Sequence, residues 1–516
     1  MSGLPPERAL NGETLGTVLF QTLFGRVWVV RFALAAALAA TLFLSRRRAA
    51  LDAASAFLAA GLLLSLAWAG HAAAERGGDR LVHLSADAVH LVAAGAWLGA
   101  LLPLAHALAQ APALESAART ARRFSIMGIA CVAALLLTGT ASAWYTVGSV
   151  PALFGTSYGR LLLAKLALVA AMIALATANR LRWTPRLGAT GGELALQRLR
   201  RNAIAETSLG LAVLGVVGAL GVTMPGRHSQ TVWPFPYTIA SWRIVPAHPT
   251  TYFRSPVGYT ADSIDHGASL YLRYCAGCHG ARGYGDGPAA AALPVRPPDL
   301  NEHVAHHRPG DLLWWLEHGI PETPMPGFRA RINDRGFWDL LNYLRAQADA
   351  EVAKDMDAGV GVWLPIAAPE FDFQIGERPQ ESLKGFHGED VLLVFCAHPE
   401  TDPRLRALAA ADGELRRAGV RAIAMPMRGA ARPRDELASL LANPDPRVAA
   451  VYALFLRGES GTRDHVEFLI DRDGYLRARW TPGDTPDWNR MPELLAQVEA
   501  LKREGPHENA PVAHAH

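Results

Sequence analysis

The chain has 516 residues, 50% of them apolar and 19% charged, with a formal net charge of +3 and four cysteines. The long uncharged stretches lie almost entirely before residue 225 and most acidic residues after it, which excludes a single soluble globule. Four cysteines exclude a disulfide-built scaffold, and the lack of a basic block interleaved with aromatics leaves nucleic-acid binding without support.

A bilayer crossing needs about 20 mostly apolar residues in a helix. Six runs meet this need, at 27–45, 52–72, 84–108, 124–146, 160–179 and 204–224, and predict a six-helix transmembrane bundle. The first 26 residues carry Glu7, Arg8 and Glu13 and lack the basic start and cleavage site of a secretory signal, so the first helix is expected to remain. Arginines concentrate in alternate links: Arg46, Arg47 and Arg48; Arg119, Arg122 and Arg123; then Arg180, Arg182, Arg186, Arg198, Arg200 and Arg201. Positive charge stays cytoplasmic, so both ends of this region, and everything after residue 225, are expected on the outer side of a bacterial inner membrane.

Ionisable side chains in lipid are costly and mark function. His83, Asp87 and His90 recur at i, i+4 and i+7, within a narrow arc of the third helix, and His71 is expected at similar depth. Imidazole suits copper, so His83, His90 and His71 are the candidate copper ligands, with Asp87 orienting one ring. A structural reading, with only His90 buried beside a polar neighbour, competes. Arg31, Lys165 and Glu206 lie near helix ends, where snorkelling explains them. Met127 and Cys131 share a helix face, as soft copper ligands or as plain packing.

The stretches FGRVWVVRFALA (24–35), HLSADAVHLVAAGAWLGALLPL (83–104), SYGRLLLAKLALVAAMIALATANRLRWTPRL (157–187) and LRRNAIAETSLGLAVLGVVGALGVTMPGR (199–227) resemble the copper-resistance D family of inner-membrane proteins. That resemblance implies a role in copper uptake or homeostasis. The family also has helices upstream of the FGRVW stretch, so any ligand from them is expected to be missing.

The strongest motif is Cys275-Ala276-Gly277-Cys278-His279. Two cysteines at this spacing suit thioether attachment of haem, with the next histidine on the iron. A zinc site would want a second spaced pair of ligands, and no other cysteine lies near. A helix (265–274) leads in, a Gly/Pro-rich loop follows, and helices at 310–320 and 334–348 flank TPMPGF (323–328). This order resembles class I cytochrome c, an all-α fold. The resemblance implies that Cys275 and Cys278 hold haem c covalently, that His279 is the proximal iron ligand and Met325 the distal one. It also implies that the carbonyl of Pro297 or Pro298 orients the proximal ring. His303, His306, His307, His318 and Met356 are the alternative sixth ligands. The link before this region, with Trp233, Phe235 and Trp242, is too aromatic for a free tether and is expected along the membrane surface.

After residue 368 short apolar runs alternate with amphipathic segments. Strands are read at 390–397, 420–427, 449–457, 466–471 and 475–480, and helices at 403–419, near 434–443 and at 486–503. The order resembles an α/β thioredoxin-like fold. HPETDP follows Cys396 where a CxxC is expected, so Cys396 is read as a core residue and the region as a docking or stabilising module. The tail histidines His507, His514 and His516 either collect copper or are incidental.

The expected layout is a tail (1–26), a membrane region (27–226), a linker (227–254), a cytochrome (255–350), a thioredoxin-like region (360–505) and a His-containing tail (506–516). The expected cofactors are one covalent haem c and copper; the partners are copper ion, lipid and a redox protein that the sequence does not name. An electron carrier or transporter is favoured over an enzyme. The competing reading is a membrane-anchored respiratory cytochrome subunit with no copper role.

Overall fold

The computed structural model describes residues 20, 22–44, 49–69, 79–188, 192–240, 242–361, 366–397, 401–427, 437, 439–456 and 465–504. His71 and the three tail histidines lie outside them. The chain divides into two compact units, Met1–Pro234 and Phe235–His516.

In the first unit α1 (Leu23–Leu44), α2 (Ala49–Leu66), α3 (Asp79–Ala109), α4 (Leu114–Thr146), the short α5 (Val150–Gly155), α6 (Ser157–Ala178) and α7 (Gly192–Val222) follow one another. Among the described residues five helices are long and apolar enough to cross a membrane, against six expected. The exception is α2, whose 18 residues give a length of about 27 Å, just under the roughly 30 Å of hydrocarbon. All six helices start earlier than predicted, α4 and α7 by the most. Arg119, Arg122 and Arg123 ride on α4, and Arg198, Arg200 and Arg201 on α7, because arginine is a good helix former and the turn extends past the apolar run. A basic cluster results at one end of the bundle. The guanidinium of Arg180 donates to Ser125 (2.8 Å), while Arg182, Arg186 and Arg198 surround the Trp183 ring at 5.2–5.8 Å.

Two intramembrane charges differ from the snorkelling expectation. Glu206 is buried and accepts from the Asn179 amide (2.7 Å), which in turn accepts from Asn202 (2.7 Å). Arg31 is buried and donates to the Ser65 carbonyl (2.8 Å) and hydroxyl (3.2 Å). Both are held by polar neighbours on adjacent helices, where lipid supplies no alternative partner.

The second unit opens on a hairpin, β1 (Tyr237–Ala240) against β2 (Arg243–Pro246), so part of the expected linker has regular structure. Then come α8 (Ala261–Tyr274), α9 (Ala276–His279), α10 (Leu300–His303), α11 (Pro309–His318) and α12 (Asp334–Val352). Thr260 caps α8 and Asn333 caps α12 through their side-chain oxygens. The two helices cross at Gly267, where a Cβ would meet the Asp339 carbonyl at 2.0 Å. Only glycine permits that approach.

A small ladder, β3 (Asp372–Phe373) with β4 (Glu381–Ser382), precedes β5 (Asp390–Cys396), α13 (Asp402–Ala410), α14 (Asp412–Arg417), β6 (Val420–Pro426), α15 (Pro446–Ala453), β7 (His465–Ile470), β8 (Leu476–Trp480) and α16 (Met491–Arg503). The main sheet runs β6-β5-β7-β8, with β5 parallel to β6 and antiparallel to β7, and β7 antiparallel to β8. This is a thioredoxin-like fold. Every residue of β5 is buried because both faces are covered. Val391, Leu393 and Phe395 join one apolar cluster, Leu392, Val394 and Cys396 the other.

Residues 449–457 were expected as a strand and instead belong largely to α15, which spans Pro446–Ala453. Asp445 caps it, Pro446 starts it, and Val448, Val451 and Tyr452 bury one face at helical spacing, a period that a short apolar run conceals. Of the helix expected near 434–443, residues 437 and 439–443 are described, and none of them is in an α-helix. Its described end, Leu441 and Ala442, instead bridges to Ala424 and Ile375.

The cytochrome helices and the sheet share one core. Ile264, Phe337 and Tyr343 pack in the same cluster as Phe395, Tyr452 and Phe468. Ala261 donates to the Glu370 carbonyl (2.8 Å) and Glu370 to that of Tyr259 (2.9 Å). On β8 the buried Arg479 donates to the carbonyls of Ala353 (3.3 Å), Met356 (2.7 Å) and Phe455. Haem-motif region and sheet are thus one folded body.

Candidate functional site

Helix α8 ends at Tyr274 and the chain makes one further turn through α9. Cys275 accepts at its carbonyl from the backbone N–H of Cys278 (3.1 Å) and of His279 (2.9 Å), so the three reactive side chains fall at i, i+3 and i+4. The following loop folds back on the motif at Gly287, where a Cβ would meet the Cys278 and Gly277 backbone at 2.6 Å. Cys275, Cys278 and His279 line a cavity of about 290 Å³ together with Met325. Its remaining wall is largely apolar, including Leu293, Val295, Ile320 and Phe328, with Arg296 and Arg331 as the guanidinium groups on the lining.

Neither motif cysteine is in a disulfide. Burial, then the neighbouring Cys278, pushes the Cys275 thiol up to about 12. Burial also holds the His279 imidazole below its usual range, against the Pro298 carbonyl. A neutral ring is the form that ligates iron. His279 Nδ1 is buried and makes no close hydrogen bond, and the Pro298 carbonyl is the group that works against the effect of burial on this ring. The Met325 turn is fixed by its backbone: Ile320 donates to the Met325 carbonyl (3.2 Å) and Met325 to the Thr323 hydroxyl (3.2 Å). Two thiols, a neutral imidazole and a thioether around an apolar cavity form the donor set that haem c requires.

Of the alternative sixth ligands only His303 also lines this cavity. His318 stacks on Trp314 at 3.8 Å and Met356 is buried in the shared core. The His303 and His307 rings lie 4.4 Å apart. Burial, then His307 and His306, holds His303 below the ordinary imidazole range.

In the membrane unit α3 carries His83, Asp87 and His90. His83 is buried, stacks on Tyr145 at 4.7 Å, and its Nε2 lies 3.8 Å from Asp87 Oδ2. Asp87 accepts from the Ser142 hydroxyl (2.8 Å), and His90 Nδ1 pairs with the Thr138 hydroxyl (3.0 Å). Seven helical residues separate the two imidazoles by about 10 Å along the axis, so the structure brings each to α4 but not to one point. Cys131 and Met127 pack in an apolar cluster with Trp97 and Met172. Among the described residues no group of three or more His, Cys, Asp or Glu is placed to hold a metal ion.

In the thioredoxin-like region Cys396 is fully buried, and burial, then Asp402, pushes its thiol up to about 12. Burial that raises a thiol disfavours the thiolate, the reactive form, so Cys396 fits a core position. The sequence reading missed a buried cluster nearby. Arg404 makes a two-point salt bridge to Glu467 (2.7 and 2.8 Å), which also accepts from His465 (2.8 Å). Burial opposes ionisation of Glu467, but these partners hold its carboxyl below the usual range. The signal was an acid in the middle of an apolar strand.

These features define a multi-pass membrane protein with a cytochrome c-type domain, which implies haem c, and a thioredoxin-like domain. Family models match residues 118–220 (copper resistance protein D), 1–81 (copper resistance protein D-like, N-terminal domain) and 262–344 (cytochrome C oxidase, cbb3-type, subunit III). Copper resistance protein D of Pseudomonas syringae pv. tomato is 34% identical over 216 residues, 40% of this chain and 70% of that one. The chain belongs to the copper resistance protein D family. Copper transport protein CutJ of Bacillus subtilis is 30% identical over 43% of this chain and 40% of its own length, and inner membrane protein YebZ of Escherichia coli 29% over 40% and 71%. Among solved structures, the reducing HAO-like protein complex of Kuenenia stuttgartiensis aligns with 28% of this chain and 59% of its own at 22% identity and TM-score 0.17.

Proposed function

We propose that this protein handles copper at the bacterial inner membrane and carries, on the outer side, one covalent c-type haem that exchanges single electrons with the copper it handles. The carrying observation is the cavity lined at once by Cys275, Cys278, His279 and Met325 in a chain whose relatives are named for copper resistance and transport. Haem c supplies reversible one-electron transfer when bound. Cys275 and Cys278 would tether it, and His279 and Met325 would ligate its iron, a donor set suited to electron transfer. Arg296 and Arg331, both on the cavity lining, would pair with its propionates. Residues 27–226 form the membrane domain on this reading, 255–350 the cytochrome and 360–505 the buttress against which it packs.

The outer placement is supported by the arginine cluster at one end of the bundle, which the positive-inside rule assigns to the cytoplasm. His83 and His90 are the copper-contacting side chains of the bundle on this reading, acting as two separate points along one helix. Purified protein with His83→Ala and His90→Ala should lose at least half of the membrane unit's bound copper while keeping its haem spectrum. Unchanged copper content and unchanged copper reduction would overturn the copper role of α3.

A second reading, a respiratory electron-transfer subunit without copper, is favoured by the match of residues 262–344 to an oxidase subunit model. It predicts a b-type haem in the bundle and no copper.

A further inference from the structure

The haem-motif cavity has a histidine-rich flank that its own chemistry does not use. His303, at the end of α10, lines the cavity. His307 follows four residues later, after a 3-10 turn over Val304–His306, and its ring lies 4.4 Å from that of His303 at an interplanar angle of 50°. His307 packs edge-on against Trp315 (4.8 Å), which lines the same cavity. Both histidines are partly exposed.

Two imidazoles that bind one ion through nitrogen at about 2.0 Å place each ring centroid roughly 3.1 Å from it. At a right angle the centroids would then stand about 4.4 Å apart, the cis relation of a tetragonal Cu(II) site. The observed pair stands at that separation. The partial exposure also fits, because an ion held by two protein nitrogens keeps its other positions for water and exchanges quickly. Such a site suits cargo in transit and not a resident metal.

We propose that His303 and His307 form a Cu(II) docking site on the rim of the cytochrome cavity. The proposal rests on the copper reading above and adds to it where the ion meets the cytochrome. Because His303 lines the cavity, an ion held by His303 and His307 would be separated from the redox centre by a single side chain.

The test is Cu(II) titration of the purified haem-loaded full-length protein, followed by electron paramagnetic resonance, with His507, His514 and His516 changed to Ala to remove tail binding. A Cu(II) signal with splitting from two or more nitrogens is expected. His307→Asn should weaken it more than tenfold with the haem absorbance unchanged, and His303→Asn should do the same. Titration of the His83→Ala, His90→Ala protein separates this site from the copper role of the bundle, because the rim signal should persist there. In the His83→Ala, His90→Ala protein, a signal that survives both rim substitutions, or no nitrogen splitting before them, would overturn the proposal.

Discussion

Changing Cys275 and Cys278 to alanine together is expected to abolish covalent haem: no haem should remain with the chain after denaturation, against full retention in the parent. The loss should be complete because no other cysteine lies on the cavity lining; Cys131 and Cys396 are buried elsewhere. Single substitutions should leave one thioether, with weaker haem retention and a shifted α-band. Met325→His tests the other side of the cavity. A second imidazole in place of the thioether should lower the reduction potential by a few hundred millivolts, within the roughly 0.8 V that axial ligands span. If covalent haem survives loss of both thiols, the attachment assignment is wrong.

The second large effect is expected at Arg479→Met. Methionine keeps much of the volume but removes the donors that satisfy the Ala353, Met356 and Phe455 carbonyls. Each buried carbonyl left unpaired costs about 1–3 kcal/mol, so a loss on the order of 4 kcal/mol is expected. Thermal unfolding should then shift down by about 10 °C. Because Ala353 and Met356 follow the last cytochrome helix while Arg479 sits on the sheet, the haem absorbance and the circular dichroism of the sheet should fall together. Separate transitions, with only one moved, would show that the two regions are not a shared core.

What the sequence made legible was local. The CAGCH spacing, the Pro-flanked Met325 and the apolar runs of the membrane helices are each set within a few residues, so periodicity and spacing find them. The run at 449–457 misled because its apolar density hides whether the period is two or near four; only the bury-one-face pattern of Val448, Val451 and Tyr452 resolves it. Arg404 with Glu467 and Arg479 with Ala353 join residues 63 and 126 positions apart, and no local pattern announces such partners. Glu206 and Arg31 were misread for the same reason: their depth was visible, but Asn179 and Ser65 were not identifiable as partners. His303 and His307 stood in the sequence as spare iron ligands, and only the cavity and the ring separation give them a different use.

Copper handling joined to a c-type cytochrome is the claim on which the rest depends. The most direct measurement is a pyridine haemochrome spectrum and metal analysis on one preparation of the purified membrane protein. The account predicts one c-type haem per chain, no b-type haem, and copper that co-purifies or rebinds at one or more ions per chain. A b-type band with no copper at saturating Cu(II) would contradict it and return the protein to a respiratory electron-transfer role.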